Sequence, residues 1–207
     1  MDPMSSDNVV EVDAAAGGAT GGKSMRADAR RNYERLVVAA REVFAEQGGG
    51  AAMEAIAKHA GVGVGTLYRH FPKRIDVVEA VYRTDVDELV TAAERAVSEL
   101  EPLDALHAWM DAFLAYSRSK RTLLQELREA FDKNPDLRIA LRERIEEAAS
   151  LVITHAQQAG VVRMDVSGAD LMQLIGPMCT SATLSEGQGE RLMAMVLDGL
   201  RPARVRT

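Results

Sequence analysis

An all-α fold is predicted by three observations on the sequence. Apolar residues recur at three- and four-residue intervals in one segment after another, period-two alternation never survives more than a few residues, and glycine or proline breaks separate the periodic segments. No internal repeat of fixed period accompanies them. The breaks divide the chain into a tail over residues 1–25, a compact helical unit over 26–75 and a larger helical unit over 76–207.

The tail is rich in Ala, Gly, Ser and Asp around Ala14-Ala-Ala-Gly-Gly-Ala-Thr-Gly-Gly22, a composition that predicts disorder in free solution. Lys23, Arg26, Arg30 and Arg31 then bring positive charge, as a minor-groove arm or as a solvated tail. Near Asp28 a first helix opens, with Tyr33, Leu36, Val37, Ala40, Val43 and Phe44 along one side, and Gly48-Gly-Gly50 ends it.

Ile56-Ala-Lys-His-Ala-Gly-Val-Gly-Val-Gly-Thr-Leu-Tyr-Arg-His-Phe-Pro-Lys-Arg74 reads as two short helices joined by a glycine turn. Ile56, Ala57 and Ala60 form the apolar face of the first, Gly61 can take φ > 0, and Val62 and Leu67 bury the second. Val64, Gly65, Thr66, Tyr68, Arg69 and His70 are left on the second helix to share between groove and core. Lys73 and Arg74 follow as a phosphate clamp. This is the layout of a helix-turn-helix that reads duplex DNA. Val64 and the Thr66 methyl suit thymine methyls, and Arg69 suits either a guanine edge or a phosphate.

Phe71-Pro72 closes the motif, because proline disfavours helix at the residue before it. A long helix then runs from Arg74 or Ile75 through Val78, Tyr82, Val86, Leu89, Ala93 and Val97 to Leu100, forming a lever between the two units. Glu101-Pro102 separates it from Leu103–Arg118, and Thr122–Lys133 follows. Asn134-Pro135 starts a helix over about 135–159, which Ala159-Gly160 stops. The last two helices are expected at about Ser167–Thr183, with a kink at Pro177, and at Gln188–Leu200.

Ala60-Gly-Val-x-Val-Gly-Thr-Leu-Tyr-Arg-His-Phe71, with a basic residue three places on at Arg74, is similar to the signature of the TetR family of bacterial transcriptional regulators. Ala52 and Gly63 stand where that family often has capping Thr and Ser. The resemblance implies a three-helix N-terminal DNA-binding domain, with His70 at a phosphate, and a C-terminal helical domain for ligand binding and dimerisation. It also implies a palindromic double-stranded operator, a small-molecule effector held between C-terminal helices, and a homodimer built on a four-helix bundle.

Charge distribution agrees. The chain carries a net −6, yet residues 23–83 hold 11 Lys+Arg against 7 Asp+Glu, leaving 14 against 24 elsewhere. A basic end with an acidic remainder favours one docking orientation on DNA. The single cysteine, Cys179, reads as a small buried hydrophobe. With no apolar run of about 18 residues and no charged-then-apolar leader, the chain is expected in the cytoplasm and off the membrane.

Enzyme readings lack a constellation. His59, His70, His107 and His155 are far apart, and there is no CxxC, no GxSxG, and no strand or lysine to make Gly61-Val-Gly-Val-Gly65 a phosphate loop. No catalytic residue, metal or cofactor is therefore expected. In the second unit Trp109, Met110, Phe113, Phe131, Met172 and Met178 could line an effector pocket, with His107 or His155 as polar anchors; the same residues also describe an ordinary core. Leu171, Leu174, Ile175, Leu192, Val196, Leu197 and Leu200 make the last two helices more apolar than one domain covers, which predicts a subunit interface. The function expected is a repressor released by an apolar or aromatic effector. The alternatives are an effector-independent regulator or activator, and a helical oligomeric module without DNA binding.

Overall fold

The computed structural model describes residues 20–185 and 187–202, with side chains from residue 27. Among the described residues the chain forms nine helices and no strand: α1 (Thr20–Gln47), α2 (Met53–His59), α3 (Val64–His70), α4 (Arg74–Glu99), α5 (Pro102–Thr122), α6 (Leu124–Lys133), α7 (Pro135–Gln158), α8 (Gly168–Cys179) and α9 (Gln188–Leu200). The all-α expectation holds.

Two boundaries differ from the sequence reading. Helix α1 begins at Thr20 and not near Asp28, which lies inside the helix and pairs with Arg31 one turn on. Residues 1–19 of the expected disordered tail, and the side chains of Lys23 and Arg26, lie outside the described residues. At the other end α8 stops at Cys179, short of Thr183. Thr180 forms the C-cap, its amide and its hydroxyl both donating to the Gly176 carbonyl, at 3.2 and 2.9 Å.

The head consists of α1 to α3. Leu36, Val37, Ala40, Val43 and Phe44 of α1 close over Ile56 and Ala57 of α2 and Leu67 of α3, all buried. Burying Leu67 completely is worth about 1.5–3 kcal/mol. The turn between α2 and α3 requires Gly61 at φ +63, and the Arg35 side chain donates to the adjacent Ala60 carbonyl at 2.6 Å. Neither Ala52 nor Gly63 makes a side-chain cap, as their residue types dictate.

At 26 residues, α4 is about 39 Å long at 1.5 Å per residue. Asp76 fixes its start by accepting from the Lys73 amide at 2.8 Å. Val77, Val78, Val81, Val86 and Leu89 bury one side, against which α1, α5, α6 and α7 pack. Asn134 caps α7 by accepting from the Leu137 amide at 3.2 Å, and Pro135 occupies its first turn. Ser167 and Asp170 form a reciprocal capping box on α8. Gly168 lets that helix start against α7, since a Cβ there would sit 2.3 Å from the Ser150 hydroxyl and 2.5 Å from its amide nitrogen.

Candidate nucleic-acid interface and effector cavity

The outward side of α3 presents Val64 (40% exposed), Gly65, Tyr68 (43% exposed) and Arg69 to solvent, with Thr66 and His70 half-buried at its edges. Leu67 alone points fully inward. That division follows from the helical period, because one buried position per turn leaves its flanks outside. Arg69 lies back along its own helix, its Nε donating to the Gly65 carbonyl at 3.1 Å and its Nη2 to the Thr66 hydroxyl at 3.3 Å. His70 sits between the head and its face, with its ring edge-on to Tyr33 at 6.2 Å between centroids.

Arg74 departs from the expected clamp. Its guanidinium turns inward, donates to the Ala51 carbonyl, and stacks over the Phe44 ring with 5.5 Å from Cζ to the centroid. It joins the loop before α2 to the start of α4, and the cation left on the surface is Lys73, which is exposed. Residue type and position misled here: an arginine at a helix start reads as outward unless a bare carbonyl below it is known.

Two cavities flank the lever. The larger, about 530 Å³, lies between α4, α5, α6, α7 and α8. Tyr82, Phe113, Tyr116 and Phe131 wall it with aromatic rings, and Ile145, Met172 and Pro177 add apolar surface. Lys120, Arg138 and Arg142 supply cations, and Glu146, Gln173 and Thr180 add further polar lining. Of the eight residues expected at such a pocket, only Phe113, Phe131 and Met172 line it.

The other five lie elsewhere for identifiable reasons. Trp109 and Met110 are fully buried core, and the Trp109 indole donates to the Leu89 carbonyl at 3.3 Å. His107 is exposed, on the side of α5 away from that core. His155 and Met178 are half-buried but do not reach the cavity wall. The sequence missed Tyr82 because it belongs to the lever. It missed Lys120, Arg138 and Arg142 because charges on amphipathic helices read as solvated faces.

The second cavity, about 380 Å³, adjoins the head and is lined by Arg41, Asp85, Glu88, Tyr116 and Ser119 among others. Asp85 is buried, and takes a hydrogen bond from the Ser119 hydroxyl at 2.8 Å while pairing with Arg41 of α1. Arg41 also reaches Glu88 at 2.9 Å. Burial pushes the Asp85 carboxyl above the usual carboxylate range, against the opposing pull of Arg41 and Ser119. Tyr116 lines both cavities, and its hydroxyl meets that of Tyr82 at 2.7 Å. Burial raises the Tyr116 hydroxyl well above its ordinary range, so it stays protonated as a hydrogen-bonding group.

The apolar residues expected at a subunit interface divide in two. Leu171, Ile175, Leu197 and Leu200 are buried within the protomer, because positions 171, 175 and 179 on α8 and 193, 197 and 200 on α9 form the stripes that face the domain core. Leu174 is 57% exposed, Leu192 and Val196 are half-buried, and Met195 beside them on α9 is 69% exposed.

Among the described residues no cluster of three or more His, Cys, Asp and Glu could hold a metal ion, and no helix is long and apolar enough to cross a membrane. A three-helix head whose second short helix offers an open face, set on a lever beside a walled cavity, defines a helix-turn-helix DNA-binding regulator. Residues 36–81 match the description "Bacterial regulatory proteins, tetR family", and residues 101–202 match "Transcriptional regulator SbtR-like, C-terminal domain".

A TetR transcriptional regulator from Streptomyces coelicolor is 36% identical, with 83% of this chain and 99% of that one covered at a TM-score of 0.72. A TetR transcription regulatory protein from Mycobacterium vanbaalenii is 31% identical, with 86% and 99% covered at a TM-score of 0.69. The helix-turn-helix transcriptional regulator UidR of Escherichia coli K12 is 26% identical over 184 residues, covering 86% of this chain and 93% of UidR. The chain belongs to the TetR family of transcriptional regulators.

Proposed function

We propose that this regulator is a homodimeric repressor of a palindromic operator, released when a small molecule with an aromatic or apolar body occupies the larger cavity. The observation that carries the reading is the position of that cavity. Tyr82 on its wall belongs to α4, the same helix whose first turn is joined to the head through Arg74. An occupant that displaces Tyr82 therefore acts on the helix that sets where α3 lies.

In this reading Val64, Gly65, Thr66, Tyr68 and Arg69 face base edges, while His70 and Lys73 approach phosphates. Arg69 must leave its bonds to Gly65 and Thr66 to reach a base, so sequence preference forms on contact. Exposed Leu174 on α8, and exposed Met195 with half-buried Leu192 and Val196 on α9, support pairing of these two helices with their mates in a second copy.

Selection of bound sequences from random duplex DNA by the purified full chain tests the operator. Inverted half-sites about one helical turn apart, near 34–36 Å, are expected. A single unpaired half-site would overturn the dimeric operator. An operator affinity that no small molecule changes would leave an effector-independent regulator.

A further inference from the structure

We infer that the larger cavity is built for an aromatic organic anion, a carboxylate carried on a ring system, and not for a neutral apolar molecule. This rests on the reading of the cavity as the effector site and narrows its ligand class. Lys120 of α5 and Arg138 and Arg142 of α7 all line it, with one carboxylate, Glu146, against them. Arg138 and Arg142 are four residues apart, one turn along the same face of α7. None of the three forms an ion pair with a described residue.

Arg83, Arg121, Arg128 and Arg191 of the same domain also form no ion pair with a described residue, so what sets Lys120, Arg138 and Arg142 apart is that they line one cavity, whereas other cations of the domain find carboxylates. Arg118 pairs with Glu190, Arg144 with Asp87 at 2.5 Å, and Arg163 with Asp165 at 2.6 Å. In a chain of net −6, three unpaired cations converging on one concave site leave a positive field there.

Lys120 is held in an unusual way. Its ammonium lies over the Tyr82 ring at 5.5 Å and the Tyr116 ring at 5.8 Å, so aromatic faces and not a carboxylate position it in the cavity lining. Around it Tyr82 and Phe131 meet edge to face at 5.5 Å. A ring entering this space finds aromatic partners, and its carboxylate finds an ammonium with free donors. The two guanidiniums are planar forks suited to a planar carboxylate. Three cations against the single carboxylate of Glu146 leave the lining net positive, which favours an anion and disfavours a cation, and a neutral ligand leaves the cations without a partner.

Three probes of one shape test this on the full chain by calorimetric titration: 2-naphthoate, 2-naphthylmethanol and 2-naphthylmethylammonium. The acid should bind at least about tenfold more tightly than the alcohol, and the ammonium should not bind. Lys120→Gln, and separately the Arg138→Gln/Arg142→Gln pair of exposed positions, should remove the preference for the acid while the alcohol's affinity stays as it was. Circular dichroism of each variant checks that it remains folded. Equal binding of acid and alcohol would overturn the anion inference and leave the cavity as an apolar effector site. A preference for the acid that survives in all variants would place the anion elsewhere and also overturn it. Failure of all three probes to bind the folded protein would overturn both the inference and the effector reading of the cavity.

Discussion

Lys73 and Arg74 are adjacent cations with separate tasks, and a pair of substitutions separates them. Lys73 is exposed, so Lys73→Ala should lower the slope of log affinity against log salt by about 0.9 per half-site and leave thermal stability alone. Arg74 is spent on the Ala51 carbonyl and the Phe44 ring, so Arg74→Ala should cost about 1–2 kcal/mol of stability, measured by denaturant unfolding. An Arg74→Ala protein as stable as wild type with a reduced salt slope would restore the phosphate-clamp assignment. Cys179 is a third case where surroundings decide. Fully buried, its thiol is pushed up to about 11 by burial, against the weaker pull of Arg121 and Arg118. The unfolded thiol ionises from about 8.5, so the native state, which keeps its proton, should lose stability as pH rises from there through the folded value. Cys179→Ala should flatten that slope, and native protein at neutral pH should resist alkylation that is rapid in denaturant. Identical alkylation rates in both conditions would show that the site opens freely.

Helices α8 and α9 show what helical periodicity reveals in a sequence and what it conceals. Their apolar excess was legible, but the side of each helix already used by its own domain was not, since that depends on which neighbour the other stripe meets. Leu197 is 6% exposed, so Leu197→Glu should unfold the protomer and says nothing about assembly. Leu174→Glu combined with Met195→Glu charges only exposed positions and should give a folded monomer in sedimentation. An intact dimer in that double variant would move the interface off these helices. The helix-turn-helix was readable because it lies within one short run, from Ile56 to Phe71, where residue type alone fixes turn and core; Arg74 beyond it was not, because its partners Ala51 and Phe44 come from elsewhere in the head. The cavity was not, because Tyr82, Lys120, Phe131, Arg142 and Met172 come from five helices and meet only after folding. Size and softness pointed to Trp109 and Met110, which the core needed.

Coupling between cavity and head has a physical route in this fold. Tyr116 stands between the two cavities; its hydroxyl meets Tyr82 on the lever, and Ser119, three residues on, donates to Asp85 at 2.8 Å. Asp85 in turn pairs with Arg41 of α1, which packs against α2 in the head. An occupant that moves Tyr82 and Tyr116 thus pulls on Asp85, the buried carboxylate that ties α4 to α1. Two α3 helices fit an operator only at a fixed separation, so a change in the tilt of the head relative to α4 lowers affinity. A ligand can do this only by binding the DNA-free arrangement better, and a difference of about 1–3 kcal/mol corresponds to roughly 5–150-fold in operator affinity. By reciprocity, saturating operator DNA should weaken the cavity ligand by the same factor. Asp85→Asn keeps the shape and a hydrogen-bond partner for Ser119 but removes the charge that holds Arg41. It should therefore bind operator and ligand separately, while the factor by which each weakens the other shrinks toward one. Calorimetric titration of ligand with and without operator, on wild type and on Asp85→Asn, measures that factor directly. If the variant kept the full wild-type factor, the signal would travel through the apolar packing of α4 and not through the Arg41–Asp85 pair.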